Sequence, residues 1–74
     1  MPDALELECR AALNRQGIRG AALQRSPRAD HMVWRLGPQW GHVGPAWDPA
    51  RRAVMDYYVT RYRDDVGRHE YLID

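Results

Sequence analysis

The sequence predicts an α+β fold, with one N-terminal helix packed on a small three- to four-stranded, mainly antiparallel sheet. Three observations carry that expectation. Leu5, Cys9, Ala12 and Leu13 recur at helical spacing near the start. The segment HMVWRLG, from His31, alternates in polarity as a half-buried strand does. Beyond residue 52, Val, Tyr and Thr accumulate, residue types that suit a pleated surface.

The elements follow in order. Asp3 stands as N-cap with Glu6 three residues on, a variant of the capping box. Glu6 and Arg10 form an i,i+4 acid-to-base pair, and Gly17 is a C′ stop. These signals predict a helix over residues 3–16. Residues 17–30 are punctuated by Gly17, Gly20 and Pro27, and Ala21-Ala22-Leu23 reads as either a short strand or an arm. In the next strand Met32, Trp34 and Leu36 share one face, and Gly37-Pro38 turns the chain. The stretch WGHVGPAW resumes extended structure. Pro45 cannot donate to a ladder, so this strand is expected at an edge or with a bulge there.

Residues 48–66 admit two readings. As a helix, Asp48 is the N-cap, Pro49 sits at N1 and Gly67 ends it. As a strand, a turn at residues 48–51 leads into residues 52–62, with Met55, Tyr57 and Val59 on one face. The period favours the strand, because a helical wheel would bring Arg51, Arg61 and Asp65 into the apolar arc. The tail HEYLID offers a last short strand through Tyr71 and Ile73.

The chain has 74 residues and one domain is expected. At that size a core supplies only about 3–5 kcal/mol of net stability. Cys9 is the single cysteine, so no internal disulfide adds to it; beside apolar neighbours it reads as a small buried hydrophobe. An unpaired cysteine, the absence of a long apolar run and a mixed, acidic start together suggest a soluble protein of the cytoplasm. All eleven basic side chains are Arg, with no Lys and no Phe, a bias that GC-rich genomes produce. The formal net charge is +1, and each half mixes both signs, which argues against a general nucleic-acid binder.

The segments LELECRAALNRQGI, ADHMVWR and WGHVGPAWDPARRAVMDYY resemble a family of uncharacterised plastid and cyanobacterial open-reading-frame proteins. That resemblance implies a helix with a Leu-Gly-Ile-like stop, an Ala-Asp-led strand, an aromatic-x-x-Gly strand, and a strand with an acid near aromatics. The chain departs from the family pattern in lacking its leading strand and longer C-terminal part. No settled activity comes with the resemblance, so it bears on fold alone.

Chemical motifs are sparse. His31, His42 and His69 have no metal-ligand spacing, although His31 and His42 could meet across a hairpin with Cys9 or Asp56. Ser26 lacks a nucleophile elbow, and without Lys no phosphate-binding loop of the Walker type exists. No enzymatic activity and no cofactor are expected. Three Trp and four Tyr share the chain with Arg, the residue types that dominate interface hot spots. The expected function is therefore a small protein-binding module: an adaptor, an assembly subunit or a phage-type inhibitor of a host machine. Its surface would comprise Trp40, Trp47, Arg51, Arg52, Tyr57 and Tyr58. The alternative is a single-stranded nucleic-acid binder using Arg51, Arg52, Arg61 and Arg63, with rings stacking on bases. A homodimer fits the small core.

Overall fold

The computed structural model describes residues 3–27 and 30–64. Helix α1 spans Ala4–Arg15 and is followed by strands β1 (Ala22–Arg25), β2 (Met32–Leu36) and β3 (Gln39–Pro45). Then come a short helix α2 (Pro49–Val54), β4 (Tyr57–Val59) and β5 (Tyr62–Arg63). All pairings are antiparallel, in the order β1-β2-β3-β4, with β5 also on β3. The architecture is α+β, as the sequence predicts, with α2 as an addition. No helix among the described residues is long and apolar enough to cross a membrane.

Both ends of α1 are fixed by short-range chemistry. The Asp3 carboxylate accepts from the Glu6 backbone N–H at 2.9 Å. At the other end the Gly17 N–H donates to Asn14 O at 3.0 Å and the Ile18 N–H to Leu13 O at 2.9 Å. That pair of bonds is a Schellman motif, and Gly17 supplies its left-handed residue at φ 81°. Ile18 and Leu13, the positions the motif brings together, are both buried.

The core lies between α1 and one face of the sheet. It comprises Cys9, Ala12, Leu13, Ile18, Ala21, Met32, Trp34 and Val43, with Leu5, Leu23, Tyr57 and Val59 packed against it. Trp34 is fully buried, and so are Val43 and Cys9. The expected helix face and the Met32/Trp34 strand face are both present, while Leu36, at the strand end, is left exposed.

β3 is a central strand, which corrects the expectation of an edge at Pro45. The Ala46 N–H bonds Asp56 O across to the β4 side. In an antiparallel ladder bonding alternates along the strand, so an amide at position 45 would point toward β2. β2 starts only at Met32, opposite Val43, so no acceptor of that strand waits at this point. Pro45 ends the strand where its missing N–H costs nothing.

β4 and β5 are two halves of one strand. Tyr62 lies three residues after Val59, and its partner Trp40 three residues before Val43, so the register carries through without an insertion. At the join, Thr60 changes which of its atoms enters the ladder. The His42 N–H donates to the Thr60 hydroxyl at 2.8 Å, and the Thr60 N–H donates to His42 O at 2.9 Å. The displaced Thr60 carbonyl accepts instead from the Trp34 indole Nε1 at 3.0 Å. A core indole is thereby satisfied by backbone from a strand two places away in the sheet. Gly41 makes this possible: a Cβ there would lie 2.0 Å from Thr60 O and 2.9 Å from Trp34 Nε1.

Residues 48–66 thus divide between the two readings. Asp48 and Pro49 begin a helix, but it stops after six residues, and Met55 is already extended at φ −153° and ψ 130°. The proposed stop at Gly67 and the strand through Tyr71 and Ile73 lie outside the described residues.

Candidate binding surface

Between β3 and β4 the chain makes an excursion from Ala46 to Asp56, closed at its base by the Ala46–Asp56 backbone bond of 3.0 Å. Within it the Asp48 side chain caps α2 by accepting from the Ala50 N–H at 3.0 Å, with Pro49 preset for the first turn. Arg52 reaches back to the same root, with Nε and Nη2 donating to Ala46 O at 3.1 and 2.8 Å. Six residues are too few for a helix to persist by propensity alone. These polar ties hold α2, because none of its residues is buried.

Apolar side chains bracket this helix and face outward. Trp47 is 71% exposed, Val54 79% and Met55 43%. A residue in the position of Trp47, just before the N-cap, commonly packs on the fourth helical residue. Here that residue is Arg52, whose guanidinium is committed to Ala46 O.

Next to α2 lies a cleft of about 310 Å³. The last turns of α1 form one wall with Ala12, Arg15 and Gln16, and residues 52–57 with Val59 form the rest. Tyr57 lines it while packing against the core. Burial raises the Tyr57 phenol above its ordinary value, with Glu8 and Cys9 adding to the rise, Arg15 lowering it and Asp56 raising it. Burial also pushes the neighbouring Cys9 thiol up to about 11, with Glu8 contributing. Fully buried, and with its Sγ 3.8 Å from Val43 O, Cys9 is a core thiol rather than a nucleophile.

The residues singled out from the sequence do not all meet here. Trp47, Arg51, Arg52 and Tyr57 belong to the excursion or its cleft. Trp40 is on the opposite face of the sheet, buried, with its ring stacked on Tyr62 at 4.5 Å. Tyr58 is also on that face, its hydroxyl 3.0 Å from His31 Nδ1, while Asp30 approaches His31 Nε2 at 3.5 Å. The His31 ring occupies space over Gly44, where a Cβ would lie 2.6 Å from it. Arg61 donates to Gln16 O at 2.6 Å and so caps α1. Arg63 is on β5, opposite Gln39.

The Arg51, Arg52, Arg61 and Arg63 of the nucleic-acid alternative do not lie along one strand, because Arg51 and Arg52 are on α2 while Arg63 is on β5. His31 and His42 share the outer face, but no three His, Cys, Asp or Glu among the described residues are grouped to hold a metal. The sequence reading missed Val54, Met55, Arg15 and the cleft. The Asp48-Pro49 start was its signal; the early stop had none.

No protein-family model matches the chain, and no curated protein or solved structure is significantly similar to it. The likeness to plastid and cyanobacterial proteins rests on the quoted motifs alone.

Proposed function

We propose that this protein is a small non-enzymatic protein-binding module, an adaptor, assembly subunit or inhibitor, docking through Trp47 and the α2 excursion. One observation carries the reading. A helix that buries none of its residues is built with four polar ties, and it is bracketed by an exposed Trp, Val and Met. Such an element adds little to the core, whereas an exposed apolar patch rimmed by Arg has the anatomy of an interface. The unpaired Cys9 agrees with a reducing compartment such as the cytoplasm.

The nucleic-acid alternative has less behind it. Arg52 and Arg61 hold backbone carbonyls, and Arg35 forms a two-bond pair with Asp64 at 2.9 and 3.3 Å. Affinity capture from a bacterial lysate, with nuclease, tests the reading directly. A stoichiometric protein partner is expected, weakened by about 2 kcal/mol or more in a folded Trp47→Ala protein. Equal retention by that variant, or partners that vanish with nuclease, would overturn it.

A further inference from the structure

The two borders of the sheet are not alike. Among the described residues, β1 ends the sheet on one side and β4 on the other, with β5 continuing the β4 border. The β4–β5 border is interrupted at Thr60 and stands beside α2 and its cleft. β1 pairs with β2 over four consecutive residues, with neither a bulge nor a proline, two of the devices that close a sheet edge to incoming strands. Its parity is fixed by two bonds. The Ser26 N–H donates to His31 O at 3.2 Å, so Gln24 and Ala22 also turn their backbone groups toward β2. Ala21 turns the other way, and its carbonyl accepts from Arg10 Nη1 at 3.0 Å. Leu23, two residues on, therefore points its N–H and C=O away from the sheet. Its side chain is on the α1 face, half-buried and packed against the core. The charges around this point are already balanced in pairs, Arg25 with Asp3 and Arg10 with Glu6.

We propose that this protein self-associates through β1, as a two-fold dimer in which Leu23 of one protomer pairs with the partner's Leu23. The inference is independent of docking at Trp47, which lies in the excursion between β3 and β4. A second copy is the occupant because symmetry lets one open residue supply both halves of the pairing. In a bonded antiparallel pair each residue gives one N–H and receives at one C=O, so the two Leu23 residues satisfy each other. The two half-buried leucines then meet on the α1 face, and Ala22 lies across from the partner's Gln24 on the other. The same operation sets the Arg25–Asp3 pair of one protomer beside the Arg10–Glu6 pair of the other, and each charge arrives with its own counter-charge. A formal net charge of only +1 leaves little repulsion between whole copies. The two sheets become one continuous sheet, with both α1 helices on the same face of it.

The Leu23 amide reports the pairing in the native protein. Nuclear magnetic resonance measures its hydrogen exchange over a concentration series, with sedimentation equilibrium giving the mass. A monomer–dimer equilibrium is expected. Leu23 exchange should slow as concentration rises, while Ala22 and Gln24 stay protected throughout. Chemical synthesis then places a methyl group on the Leu23 backbone nitrogen, which keeps the side chain and every bond to β2. That chain should fold, by circular dichroism, and dimerise about tenfold or more less tightly, having lost two hydrogen bonds. Trp47→Ala should dimerise as the parent does. A monomer at every concentration, a dimer whose Leu23 amide exchanges as fast as the monomer's, or a folded methylated chain that dimerises undiminished would each overturn the proposal. Loss of the dimer on Trp47→Ala would overturn it too, and would move self-association to the α2 excursion. Slowing of Leu23 exchange by an added Thr-Val repeat peptide, with no dimer formed, would overturn it in favour of a foreign strand.

Discussion

Replacing Gly41 with Ala probes the contact on which the last strand depends. The added Cβ would meet Thr60 O at 2.0 Å and Thr60 C at 2.8 Å. Those are backbone atoms, and no rotamer change can move them aside. The strand must lift from the sheet, and the Trp34 indole N–H then loses its acceptor in the core. An unsatisfied buried donor costs about 1–3 kcal/mol, and overpacking a further 1–3 kcal/mol. The combined loss of roughly 2–6 kcal/mol is set against a net stability of about 3–5 kcal/mol for a domain this small. The variant should therefore be largely unfolded at room temperature. Urea unfolding followed by tryptophan fluorescence and far-ultraviolet circular dichroism measures it. Thr60→Val and Thr60→Ser separate the parts. Valine removes the hydroxyl that serves His42 and should cost about 1–3 kcal/mol, whereas serine should recover most of it. A Gly41→Ala protein within about 0.5 kcal/mol of the parent would refute the reasoning, since that is the scatter of neutral surface changes.

Four more outcomes are expected. Gly17→Ala, forced to φ 81°, should lose about 1–2 kcal/mol in the same denaturation assay, and Gly17→Asn less. Arg61→Gln should lower the melting temperature by several degrees by uncapping α1, and Arg51→Gln should leave it unchanged. Trp47→Ala should change stability by less than about 0.5 kcal/mol, because the ring is 71% exposed. Cys9 sets an alkaline limit. Its thiol is raised to about 11 in the fold, so the unfolded chain ionises first as pH rises. Stability is whole below about pH 9 and falls through pH 11, by roughly 2 kcal/mol at that point. Tyr57, also raised, adds to the fall at the top of that range. Cys9→Ala should flatten the Cys9 part of the profile in urea titrations.

Helix α1 was legible because every signal for it is local: an Asp cap, a 3.6-residue period and a Gly stop within a few residues. The β2 face was legible for the same reason, since alternation is written into consecutive residues. Pro45 misled because its consequence depends on where β2 begins, a fact of the partner strand. Residues 48–66 misled because two periods are spliced within a few residues, and each is too short to declare itself. Trp40 and Trp47 look alike in sequence, yet one is stacked on Tyr62 and the other projects into water. Trp40 lies within β3, where pairing sets it beside Tyr62, whereas Trp47 falls past the end of that strand, and where the strand ends is not written in either residue. The cleft was invisible because Ala12 and Arg15 join residues about forty positions away only after α1 docks.

The interruption at Thr60 also makes the core report on the seating of the last strand. The Thr60 N–H still bonds His42 O, so the carbonyl turned to the Trp34 indole is one that already faced β3. The bond is moved from one internal partner to another, and the outward row of the strand is left as it was. If the segment from Tyr57 to Arg63 leaves the sheet, the Trp34 indole loses its acceptor with it. The buried tryptophan is thus an optical gauge of a strand it does not neighbour.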